Sequence, residues 1–72
     1  QWTPQDVVNY WLKPLNLSKD YSEIIISNEI DGEVLLAMTT SNWKELGVSV
    51  FGHLTRLQQA VDKLCKSIQV EN

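Results

Sequence analysis

Apolar positions recur along the chain at the three- and four-residue spacing of amphipathic helices. The clearest run lies near the C-terminus, where Leu54, Leu57, Val61, Leu64 and Ile68 follow one another at +3, +4, +3 and +4. That spacing predicts a long helix over 50–70, with Gln58, Gln59, Asp62, Lys63 and Lys66 mostly off the stripe and Ser49 as its cap. At the other end, Thr3-Pro4-Gln5-Asp6 reads as a helix start: a capping hydroxyl, a proline suited to the first helical position and a carboxylate near the positive end of the dipole. Val7, Val8, Trp11, Leu12 and Leu15 continue the pattern, and Pro14 predicts an end near Lys13, giving a helix over 4–13. Ser18 opens a second, 18–27, with Tyr21, Ile24 and Ile25 as its apolar side and Asn28 as its stop. The β-branched run Ile24-Ile25-Ile26 is locally strand-like. A lone strand has nowhere to place its hydrogen bonds, and no second strand is in sight, so the helical reading prevails.

Between these lie two short helices, 31–37 and 40–46. Asp31-Gly32 opens the first and Val34, Leu35, Leu36 and Met38 make it apolar; Thr39 and Thr40 offer caps for the second, and Gly47 stops it after Trp43 and Leu46. Neither is long enough to hold in water by itself. Gly32 and Gly47 are expected where turns need relief, and Gly52 where two backbones approach closely. The pattern therefore predicts an all-α fold: a compact five-helix bundle with a long C-terminal helix. Its expected core is Trp11, Leu12, Leu36, Trp43, Leu46, Leu57, Val61 and Leu64.

With 72 residues the chain reads as one domain, 1–72, near the lower size limit for independent folding. Because it begins at Gln1 rather than Met, it is expected to be a piece of a larger multidomain protein. A hydrophobic fraction of 43% with 21% charged residues excludes disorder as the default. The single Cys65 rules out an internal disulfide and points to a reducing, intracellular setting, cytoplasmic or nuclear. No apolar run reaches the length of a membrane span, so no membrane contact is expected. Catalysis has little support. His53 and Cys65 are 12 residues apart on one helix, or about 18 Å along its axis, beyond hydrogen-bonding reach. The carboxylates of Asp31 and Glu33 point apart, one histidine does not make a metal site, and no glycine-rich phosphate loop follows a strand. The expectation is a chain that is no enzyme, with no cofactor, metal or small-molecule substrate.

Charge is unevenly placed. Asp20, Glu23, Glu29, Asp31, Glu33 and Glu45 stand against Lys44 in the middle, whereas Arg56, Lys63 and Lys66 face Asp62 and Glu71 in the last third. The net charge of −3 argues against nonspecific nucleic-acid binding. Trp11 and Trp43 fall in register with apolar neighbours, which favours packing over base stacking, and Phe51 lies off the leucine stripe.

Read together, Trp2…Val7…Trp11-Leu12…Leu17…Tyr21…Asn28-Glu29-Ile30-Asp31-Gly32-x-x-Leu35-Leu36…Trp43-Lys44-Glu45-Leu46-Gly47-Val48…Gly52-His53 resembles the sterile alpha motif (SAM) family over almost the whole chain. The Ile-Asp-Gly-x-x-Leu-Leu and Leu-Gly-Val-x-x-x-Gly-His segments carry the likeness. It implies a protein-interaction module of signalling, scaffold or regulatory proteins, whose partner is another SAM domain or a second copy of itself. Such domains associate head to tail, an end-helix face on a mid-loop face. Carried over, the end-helix face is Val50, Phe51, Gly52, His53, Leu54 and Arg56, and the mid-loop face is Glu29, Asp31, Glu33, Asn42 and Glu45. Two positions depart from the pattern: Leu54 stands where a basic residue is common, and Trp43 where a smaller apolar residue is usual. The loss of a base points to weak self-association. A minority of the family binds RNA hairpins, which is the alternative reading; Arg56, Lys63 and Lys66 are sparse for that purpose.

Overall fold

Pro14 does not end the first helix. The computed structural model describes residues 1–70, all of its regular structure is helical, and the first helix, α1, runs over 4–15. Its middle, Val7–Leu12, is wound as a π-helix between the α-helical turns Pro4–Asp6 and Lys13–Leu15. The backbone N–H of Lys13 reaches the Val8 carbonyl, five residues back. A widened turn gives the Pro14 ring room against the carbonyl four residues earlier, the clash that would otherwise break the helix. The end comes at Asn16, in the left-handed conformation (φ 53°) that asparagine tolerates better than most residues. At the start, Thr3 and Asp6 form a reciprocal capping box.

The second helix, α2, is Ser22–Ser27 and not 18–27. Ser18 is not its cap; Asp20 is the residue that accepts hydrogen bonds from both the backbone N–H and the hydroxyl of Ser22. Ile24–Ile26 is helical, with Ile25 fully buried and Ile26 41% exposed. The helix ends in a Schellman turn: Glu29 N–H bonds to Ile26 O and Ile30 N–H to Ile25 O, with Glu29 left-handed at φ 52°. Next comes α3, Gly32–Leu36, slightly shorter than expected because Asp31 stands outside it and accepts from the Val34 N–H at 2.9 Å. Gly32 has no left-handed backbone. It is needed because the Trp2 Cβ lies 3.2 Å from where a Cβ would stand, and its N–H donates to the Trp2 carbonyl. The close approach expected at Gly52 is thus at Gly32, and Gly52 faces open space.

Helix α4, Thr40–Glu45, is capped by Thr39 rather than Thr40, in a box with Asn42. It ends in a second Schellman turn, Gly47 N–H to Lys44 O and Val48 N–H to Trp43 O, with Gly47 at φ 110°. Helix α5, Phe51–Val70, follows. Glu71 of the charge reading and the last two positions of the predicted 1–72 domain lie outside the described residues.

The contacts divide the chain into two units, one of Gln1–Leu35 and one from Leu36 onward. In the first, α2 packs on α1. Its buried side chains are Val7, Val8, Trp11, Leu12, Tyr21, Ile25, Ile30 and Leu35. In the second, α4 packs on α5, with Met38, Trp43, Val48, Leu54, Leu57 and Val61 buried. Trp43 is wholly enclosed, so its bulk is absorbed. The expected core residues Leu36, Leu46 and Leu64 are only half-buried. Along α5 the apolar stripe surfaces with distance: Leu57 is fully buried, Leu64 half-buried and Ile68 43% exposed. Cys65 is half-buried, its thiol 3.7 Å from the Leu36 carbonyl.

Replacing Leu57 by alanine should cost about 2–5 kcal/mol, a large part of the stability of so small a fold; an unchanged denaturation midpoint would refute the buried face assigned to α5. Acid titration tests the start of α2. The Ser22 hydroxyl and then the Ser22 N–H hold the Asp20 carboxyl below its ordinary range. A carboxylate depressed in the folded state contributes stability that is present above its unfolded pKa of about 3.9 and lost as pH falls through the folded value. Thermal melts across this range should therefore fall less steeply with acid in Asp20→Asn than in the wild type.

Candidate interaction surfaces

The start of α5 is built from Val48 outward. Val48 is buried and closes the Gly47 turn, which fixes where the next residues leave the core. Val50 precedes the helix, and its carbonyl accepts from the N–H groups of His53 and Leu54, both at 3.0 Å. It holds the cap position that the sequence assigned to Ser49, and its side chain has no acceptor to offer. The first turn thus carries the positive end of a 20-residue helix with no side-chain cap from Val50.

Of the six end-helix residues, four are on the surface. Phe51 is 81% exposed, Val50 46%, and Gly52 and Arg56 are exposed as well. His53 and Leu54 are buried, at 9% and 7%. They belong to the packing of α5, and Leu54 begins its buried stripe. An exposed phenylalanine beside an exposed valine, with a guanidinium further along the helix, is suited to an apolar contact oriented by charge.

The five mid-loop residues divide by what their side chains already do. In the N-terminal unit Asp31 is half-buried and caps α3. Glu33 is exposed in the first turn of the same helix, and Glu29 is exposed at the left-handed turn position. In the C-terminal unit Asn42 is half-buried and committed to the Thr39 box, whereas Glu45 is exposed at the end of α4. Sequence reasoning did not separate structural from available carboxylates, although Asp31 three residues before Val34 is a legible capping spacing. It also passed over a cavity of about 180 Å³ beside the turn that follows α1.

No group of three or more histidine, cysteine or carboxylate side chains able to hold a metal occurs among the described residues. No helix among them is long and apolar enough to cross a membrane.

Known proteins place this arrangement. Residues 1–65 match the SAM domain (sterile alpha motif) family model. Diacylglycerol kinase eta of Drosophila melanogaster is 35% identical over 66 residues, 92% of this chain and 3% of that protein. The Drosophila ananassae protein of the same name is 33% identical over the same length. SH3 and multiple ankyrin repeat domains protein 2 of Xenopus laevis is 36% identical over 63 residues, 88% of this chain and 5% of that protein. The chain therefore spans only a few per cent of these relatives, and no solved structure gives a significant match. With the family model matching almost its whole length, and with an all-helical fold ending in a long helix, the chain belongs to the sterile alpha motif family, whose members are protein-interaction modules.

Proposed function

We propose that this domain binds another SAM domain through the start of α5, with Val50, Phe51, Gly52 and Arg56 as the contact. The exposure of Phe51, 81% at the first position of the longest helix, is the observation that carries the reading. Burial of that ring on a partner supplies most of the affinity, and the Arg56 charge with the helix dipole sets orientation and on-rate. The complementary partner surface is acidic. In this chain the carboxylates of that kind are Glu29, Asp31 and Glu33 of the first unit and Glu45 of the second, Asp31 contributing its charge while it caps α3. Because the two faces differ, self-association runs head to tail and gives open chains unless the rotation closes a ring. With a single exposed arginine for charge, self-association is weak, of roughly micromolar affinity or poorer, and a different SAM domain binds more tightly.

Three substitutions test this on one binding assay, with circular dichroism as the folding control and sedimentation over a concentration series for the self-associated form. Phe51→Ala should weaken binding most and Arg56→Glu less, both without loss of helicity. Gly52→Ala meets no atom within 4 Å, so the fold should tolerate it and gain up to about 1 kcal/mol from helix propensity, while the added methyl obstructs close approach of a partner. Wild-type binding by folded Phe51→Ala and Arg56→Glu would exclude this face. The RNA-hairpin alternative makes an opposite demand: a salt-sensitive mobility shift with a hairpin at sub-micromolar protein. None is expected at physiological salt, given a net charge of −3.

A further inference from the structure

The N-terminal unit, Gln1–Leu35, carries six carboxylates and only two basic side chains, Lys13 and Lys19. Both of those lysines line the same cavity. It lies at the turn between α1 and α2, and its apolar lining is the buried Leu12 and Tyr21 with the half-buried Leu17. The two lysines are exposed, and the Lys19 ammonium stands 5.8 Å from the centre of the Tyr21 ring. Asp20, the one carboxylate on the lining, is already held by the N–H and the hydroxyl of Ser22.

Size decides what such a cavity takes. Cofactor and drug-like ligands occupy roughly 300–1,000 Å³, well above the 180 Å³ here. A cavity of about 150 Å³ lined by apolar side chains is enough for a benzene ring. The space therefore matches a single aromatic or leucine-sized side chain. The charge around it selects the company of that side chain: a basic rim on an otherwise acidic unit repels basic segments least well at this one place and attracts carboxylates there.

We infer that this cavity is a second docking site, independent of the α5 face, for an acidic peptide segment that inserts one large apolar side chain between Lys13 and Lys19. The apolar side chain covers Leu12, Leu17 and Tyr21, and carboxylates on either side of it meet the two ammonium groups. The contact is small, so it is weak and sensitive to salt.

The probe is a blocked pentapeptide with a central phenylalanine between pairs of glutamates, titrated into the isotope-labelled chain at low salt. The expected result is shifts in the methyl signals of Leu12 and Leu17 and the ring signals of Tyr21, with Phe51 unmoved. Lys13→Glu combined with Lys19→Glu should weaken binding at least tenfold while leaving the circular dichroism unchanged. Lys13→Gln with Lys19→Gln, which adds no repulsion, should give a smaller loss in the same direction and serves if the charge reversal disturbs the fold. Equal binding by a peptide with glutamine in place of glutamate, or with alanine in place of phenylalanine, overturns the proposal. So do the same shifts produced by inorganic phosphate alone, or shifts centred on Phe51 and Arg56.

Discussion

Helices α2, α3 and α4 are five or six residues long, so nearly every backbone N–H and C=O in them is an end group without a partner inside the helix. Ending the hydrogen bonding of such short pieces is the constraint on which the rest of the structure depends. It is met locally. Thr3 with Asp6 and Thr39 with Asn42 close reciprocal boxes, and Asp20 and Asp31 accept from the starts of α2 and α3. Glu29 and Gly47 turn left-handed so that the last carbonyls of α2 and α4 are bonded. Each of these devices contributes on the order of 1 kcal/mol, and together they allow elements too short for independent stability to present apolar faces for burial.

The same devices sort the polar residues. Asp31 and Asn42 are engaged in holding helices, so truncating either disturbs the fold before it informs about binding. Glu29, Glu33, Glu45 and Arg56 are exposed and make no side-chain hydrogen bond that supports a helix end. Helix α5 shows the division within one turn. His53 and Leu54 point their surface into the packing, while Phe51 and Gly52 are left to solvent. Stability and recognition thus rest on alternate residues of one short stretch, and for this reason substitutions at Phe51 leave the core untouched.

The five-helix, all-α architecture, the capping of α1 by Thr3, the Gly47 stop and the burial of Trp11, Leu12, Trp43, Leu57 and Val61 were legible in the sequence. So was the family, through Ile30-Asp31-Gly32 and Leu46-Gly47-Val48. These features rest on apolar periodicity and on side chains bonding to backbone three or four residues away, and both are local. Some local rules nonetheless misled. Pro14 forbids an ordinary α-turn, but a π-turn five residues wide satisfies it at the cost of one shifted hydrogen bond.

What only the tertiary structure decided is which of two equivalent local options was taken. Gly32 and Gly52 are alike in sequence; the approach of Trp2, thirty positions away, makes one of them obligatory and leaves the other open. Leu54 and Phe51 are three apart at the start of one helix, and the direction in which α5 leaves the Gly47 turn buries the first and exposes the second. The cavity between Lys13 and Lys19 exists because a helix end and the following turn bring Leu12 and Tyr21 to one place. Spacing along a chain specifies bonds between near neighbours, whereas burial and close approach are set by where distant segments are brought, and that is determined by the fold as a whole.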